Sequence, residues 1–115
     1  MNVLIALAIK SMSETFTLIR NSGGDATAFC EVIEEVLPAP QYVAYGGMIA
    51  NESYETASFR LELGLKDVRL ALAAADSIGV AMRTTSILRD QHLAAVARGY
   101  GGLDWAALAK LAADM

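Results

Sequence analysis

The sequence predicts an all-α fold, a compact bundle of about six helices with a long first helix. Three observations predict it. Hydrophobic residues make up 55% of the chain, many of them alanine, and there are only two prolines; this composition favours closely packed helices over a sheet rich in β-branched and aromatic residues. Apolar residues recur at i, i+3, i+4 spacing through most of the sequence. Turn clusters, Asn21-Ser22-Gly23-Gly24, Pro38-Ala39-Pro40 and Gly99-Tyr100-Gly101-Gly102, separate the helical windows. At 115 residues the chain is expected to be one domain, 1–115, and it shows no repeat, low-complexity tract or linker.

The first helix is expected over residues 2–21, about 20 residues or roughly 30 Å. Leu4, Ile5, Ala8, Met12, Thr15, Phe16 and Ile19 form its stripe, and Asn2 is its candidate N-cap. Asp25 caps a second helix reaching residue 37, with Phe29, Val32, Ile33 and Val36 as the buried side and Glu31, Glu34 and Glu35 as the wet one. Pro38-Ala39-Pro40 ends it. A short third helix over 41–51 carries Gly46-Gly47, which allows either close packing or a kink. A polar connection follows over 51–58.

The fourth helix opens on Lys66-Asp67 and stops at Gly79. Val68, Leu70, Ala71, Leu72, Ala74, Ala75 and Ile78 cover more than half of its circumference, so it is expected to be mostly buried. A fifth helix is expected over 84–98, with Ile87, Leu88, Gln91, Leu93, Ala94 and Val96 along it. Asp104 caps a last helix over 105–113, whose stripe is Trp105, Leu108 and Leu111.

Several chemistries are set aside. A net charge of −4 and no visible basic patch argue against nucleic acid as the main partner. Cys30 is the only cysteine, which excludes an internal disulfide or a cysteine metal cluster and points to a reducing, cytoplasmic location. The apolar start, residues 1–9, has no basic region before it, and Lys10, Glu14 and Arg20 interrupt it; neither a signal peptide nor a membrane span is expected. His92 is the only histidine and has no spaced partner for zinc or a nucleophile triad, so no metal is expected and a surface or helix-packing role is. The glycine pairs follow no strand and lack the GxGxxG pattern. Tyr42, Tyr45, Met48 and Tyr54 are read as core, with the lining of an apolar pocket as the alternative.

Lys66-Asp67 stands out as a charged pair at the head of an apolar helix. A carboxylate is favoured there by the helix dipole, whereas a cation costs roughly 0.3 to 1 kcal/mol. Two readings stand side by side. In one, Asp67 satisfies free N–H groups and Lys66 is a solvated neighbour; in the other, Lys66 is placed to bind something.

The run Phe59-x-Leu61-x-Leu63-x-Leu65-Lys66-Asp67-x-x-Leu70-Ala71-Leu72-x-x-Ala75-x-x-Ile78-Gly79-Val80 closely resembles the C-terminal helical domain of the β-hydroxyacid dehydrogenases. That group includes 3-hydroxyisobutyrate dehydrogenase, tartronate semialdehyde reductase and glyoxylate/succinic semialdehyde reductase. Ser13-Glu14-Thr15, Gly24-Asp25 and Leu103-Asp104-Trp105-Ala106-Ala107-Leu108 resemble other parts of the same domain, and the likeness covers essentially the whole chain.

The resemblance implies a divided active site. In the family an N-terminal Rossmann domain, absent from these residues, binds NAD or NADP, while the helical domain supplies a dimerisation surface and half of the site. The family's catalytic lysine precedes an asparagine on the first helix; Asn2 resembles that asparagine, so the lysine is expected before Met1, and Lys10 lies too late to replace it. By resemblance Asn2 positions the substrate carboxylate or hydroxyl, Lys66 contacts the nicotinamide end, Asp67 holds Lys66 or neighbouring loops, and Phe59 lines the substrate cleft. The implied substrate is a small hydroxyacid or semialdehyde, the implied partner a second copy of the chain, as a homodimer or higher oligomer. The chain alone is expected to be inactive. The alternative is a stand-alone helical module for self-association or protein binding.

Overall fold

A computed structural model of the chain describes residues 2–114. Its helices are α1 (Asn2–Asn21), α2 (Ala26–Val36), α3 (Pro40–Asn51), α4 (Leu61–Ser77), α5 (Arg83–Ala97) and α6 (Leu108–Asp114), the last entered through a 3₁₀ turn, Trp105–Ala107. The fold is all-α, as the composition and spacing predict; the one sheet-like feature among the described residues is an isolated bridge between Arg60 and Asp104.

α1 runs through the middle and packs against every other helix. Ala6, Ala8, Ile9, Met12, Ser13 and Phe16 are its buried residues, and the Ser13 hydroxyl donates to the Ile9 carbonyl at 2.6 Å. Small side chains at residues 6, 8 and 13 let the neighbours come close. Leu4, expected on the buried stripe, is 69% exposed. Two residues at about 100° each put it some 200° round the helix from Ala6, on the side turned away from the core. Length and hydropathy alone would let α1 cross a bilayer, its most apolar 18 residues averaging 1.3; here its buried face is the centre of the bundle.

Asp25 caps α2 as expected, accepting from the Thr27 N–H at 2.9 Å. The expected stripe on α2 is not buried. Ile33 alone is, Phe29 is half-buried, and Val32 and Val36 are exposed, because α2 rests mainly on α3 and α1, which leave its outer side open. In α3 Gly46 serves close packing, Gly47 faces open space, and the helix runs through the pair unbroken. A Cβ at Gly46 would sit 3.5 Å from both Ile33 Cδ1 and Met12 Sδ.

α4 begins at Leu61, five residues before Lys66, which corrects the expected start. The cause is tertiary. Arg60 precedes it in extended conformation with no side-chain cap, and the first free N–H groups go to another segment: Leu61 N–H donates to Leu103 O at 2.9 Å and Glu62 N–H to Gly101 O at 3.0 Å. α4 is also less buried than expected. Leu61, Leu65, Val68 and Ala75 face inward, while Leu70 and Ile78 are exposed, since α1 and α5 cover only part of its circumference. Gly79 ends it at φ +72°, the left-handed conformation in which glycine carries no penalty.

α5 turns Thr85, Leu88, His92 and Ala95 inward and leaves Ile87, Leu93 and Val96 outside. Trp105 lies where these elements converge. Phe59 stacks at 4.9 Å between ring centres, and Tyr45 from α3 and His92 from α5 meet the indole edge-on at 6.3 Å.

Candidate functional site

The first residue of α1 and the seventh of α4 meet at one end of the bundle. Asn2 Nδ2 donates to Asp67 Oδ2 at 2.6 Å, across 65 positions of sequence, in a half-buried setting. Both expected capping roles fall. Asn2 is already helical and spends its amide on α4; Asp67 lies past the first turn and spends a carboxylate oxygen on Asn2. With Nδ2 fixed, the Asn2 amide carbonyl and its second N–H have a defined direction.

Lys66 precedes Asp67 by one residue, about 100° round α4, and is exposed. Asp67 holds α1 rather than Lys66, and among the described residues no ion pair involves Lys66. With the fourth helix starting at Leu61, the dipole argument against a lysine at this place no longer applies, because that effect falls off within the first turn.

Phe59 is half-buried in the segment that leads into α4. It is fixed on both sides of its backbone: its N–H donates to Asp104 Oδ1 at 3.3 Å and its carbonyl accepts from the Trp105 N–H at 2.8 Å. The structure therefore joins Asn2 and Asp67, leaves Lys66 exposed about 100° round α4 from Asp67, and ties Phe59 to Asp104 and Trp105 instead.

Three positions matter more than the sequence alone indicated. Asp104, expected only as a cap, does accept from the Ala106 N–H at 2.9 Å, but it is wholly buried and its other oxygen takes the N–H of Ser58 at 3.0 Å as well as that of Phe59. A Cβ at Gly64 would overlap the Trp105 indole, so only glycine lets the ring lie against α4. His92 is the helix-packing histidine of the two expected alternatives, fully buried; its Nε2 accepts from Trp105 Nε1 at 2.9 Å, which leaves Nδ1–H to donate to the Leu88 carbonyl at 2.6 Å. Burial pushes its pKa below the ordinary 6.5, and Lys10 lowers it further. The sequence signal was slight: one histidine and one tryptophan in an apolar chain.

The larger surface concavities lie elsewhere. A groove of about 630 Å³ between α1 and α3 is lined by Leu4, Leu7, Ala39 and Tyr42 among others. A polar cleft of about 680 Å³ between α4 and α5 carries Arg69, Asp76, Arg89 and Asp90. Asn2, Lys66 and Asp67 form an open surface, with a fixed amide and a free cation. Such a set offers directed donors to a polar ligand group, and among the described residues no glycine-rich phosphate-cradling loop accompanies it.

The family model that matches residues 1–112 is described as the NAD-binding part of NADP-dependent 3-hydroxyisobutyrate dehydrogenase. An uncharacterized oxidoreductase, YfjR, of Bacillus subtilis (strain 168) is 33% identical over 109 residues, which are 95% of this chain and 38% of that protein. Among solved structures, a 3-hydroxyisobutyrate dehydrogenase (ygbJ) from Salmonella typhimurium superposes with a TM-score of 0.88 at 17% identity, over 96% of this chain and 39% of that one. A Mycobacterium tuberculosis 3-hydroxyisobutyrate dehydrogenase, solved with L-serine, gives 0.76 at 24% identity, over 96% and 40%. These two structures share the fold. The chain spans about two-fifths of the length of each of these relatives. On the match over residues 1–112, the chain belongs to the NAD-binding family of NADP-dependent 3-hydroxyisobutyrate dehydrogenase.

Proposed function

We propose that this chain is the C-terminal domain of an NAD(P)-dependent 3-hydroxyacid dehydrogenase, closing over cofactor and substrate and supplying a dimerisation surface, and that it is inactive alone. The observation that carries the reading is the Asn2–Asp67 hydrogen bond beside Lys66. Family membership and the coverage of two-fifths of each relative support it.

In this reading Asp67 is a positioning residue. It holds the Asn2 amide so that the amide carbonyl and remaining N–H meet the hydroxyl or carboxylate of a small hydroxyacid or semialdehyde. Lys66 offers ammonium donors to the nicotinamide end, and Phe59, held by Asp104 and Trp105, gives the cleft an apolar wall. A bound nicotinamide supplies or takes up the hydride; this chain's part is orientation. The lysine that would give or take the proton belongs, in this reading, to residues before Met1. The purified chain mixed with NADH or NADPH and tartronate or succinic semialdehyde is expected to show no turnover. Measurable hydride transfer would overturn the proposal.

A second reading, a stand-alone self-association module, is favoured by the bare side of α1. Leu4 and Leu18 are more than 60% exposed and Leu7 is 40% exposed, and apolar patches of more than a few hundred Å² seek partners. Both readings predict a dimer or higher oligomer, and sedimentation of a clean monomer at high micromolar concentration would count against both. The reading frame upstream of Met1 separates them: a Gly-rich strand-turn-helix start favours the divided enzyme, a stop codon the module.

A further inference from the structure

His92 occupies a place where a neutral ring is bonded at both nitrogens and a charged one is not. Trp105 Nε1–H points at Nε2 over 2.9 Å, and the Leu88 carbonyl takes the proton on Nδ1. A proton added to Nε2 would set an N–H against the indole N–H, removing the bond and burying a charge.

Of the groups around the ring only the Leu88 carbonyl favours a proton, and burial outweighs it. From α1 comes the cation of Lys10, whose Nζ is held by Gln91 at 3.2 Å. On α5 itself the neighbouring Asp90 is 3.3 Å from Arg89 and exposed. The nearest part of α4 to the indole is Gly64, which has no side chain, and from α3 the uncharged Tyr45 meets the indole. The carboxylate of Asp104 is already engaged by three backbone N–H groups. What Trp105 supports is specific: its backbone N–H donates to the Phe59 carbonyl at 2.8 Å, and its indole ring lies against the Phe59 ring at 4.9 Å between centres.

We propose that the His92–Trp105 hydrogen bond is an acid-sensitive latch: proton uptake by His92 releases Trp105 and loosens the segment carrying Phe59, while the helices persist. This rests on the fold alone and is independent of the cofactor reading. The direction of the His92 shift agrees with it, and the sign follows. A histidine whose folded pKa lies below 6.5 stabilises the latched state above that pH, and the stabilisation is lost as pH falls from 6.5 through the folded value.

The chain has one histidine and one tryptophan, so each side of the latch has its own signal. In the full chain, NMR of the imidazole ring and tryptophan fluorescence are followed from about pH 7.5 to about pH 4.5, with far-UV circular dichroism in parallel. The expected result is a ring that starts as the Nδ1–H tautomer, titrates below 6.5, and shares its midpoint with a change in Trp105 emission while helicity is retained. His92→Gln keeps an acceptor for the indole and cannot charge, and is expected to abolish that emission change. A ring that titrates without a change at Trp105, a ring that stays neutral throughout, an emission change that coincides with loss of helix, or one that persists in His92→Gln would each overturn the latch. Should His92→Gln fail to fold, the wild-type midpoints and helicity decide.

Discussion

Asn2 Nδ2 and Asp67 Oδ2 lie 2.6 Å apart and join the beginning of α1 to the second turn of α4. The contact is half-buried and charge-assisted, strong enough to fix the amide and weak enough to be tested by substitution. Asp67→Ala and Asn2→Ala should each cost about 1 kcal/mol of stability, after allowance for partial exposure, and the double variant little more than either. Urea denaturation of the four proteins measures the coupling. Additive losses would mean that the bond is not formed in solution.

Gly64 is the position at which the helix yields space to Trp105. Alanine elsewhere in a helix interior gains up to about 1 kcal/mol over glycine, but here its Cβ would overlap a 2% exposed indole that cannot swing away. Gly64→Ala should therefore lose about 2 kcal/mol net, by the cost of overpacking a filled core. Thermal unfolding checks it. A raised melting temperature would contradict the packing described.

Asp104 joins three segments through one carboxylate: the approach to α4, its own turn and the 3₁₀ start of α6. Asp104→Ala leaves the N–H groups of Ser58, Phe59 and Ala106 without that acceptor and should cost about 3 kcal/mol, Asp104→Asn about half of that. Both are read by urea denaturation. The same change should raise amide hydrogen exchange over residues 58–62, where α4 relies on residues 101–104 for its first hydrogen bonds.

Tyr54 is nearly wholly buried, and burial pushes its phenol from the ordinary 10 up to about 12. A raised acid pKa means that the folded state prefers the proton. The stabilisation is fully present below pH 10 and is lost as pH rises from there to about 12. Alkaline titration at the phenolate absorbance should show one of the four tyrosines ionising together with loss of helix. Four independent ionisations near pH 10 would contradict it.

What was legible in the sequence was local. Asp25 announces α2, Pro38 and Pro40 separate α2 from α3, and Gly79 ends α4, because caps and breakers act within a few residues. The start of α4 was illegible because its free N–H groups are satisfied by Gly101 and Leu103, some 40 positions away, and no capping residue marks Leu61. The apolar faces of α2 and α4 were overestimated, because periodicity shows which side of a helix is apolar and not how many neighbours cover it. For the site, the family resemblance named Asn2, Lys66, Asp67 and Phe59, but spacing could not reveal that Asp67 holds Asn2, or that Phe59 answers to Trp105 and His92.

The most direct test of a cofactor-facing half-site is an amide NMR titration of the 115-residue chain with NADPH or NADH up to millimolar concentration. The expected shifts are small, weakly saturating and centred on Asn2, Lys66 and Asp67, and they vanish in Lys66→Ala while the fold is kept. Shifts centred on the Arg69–Arg89 cleft or the Leu4–Tyr42 groove, or none at these three residues, would contradict it.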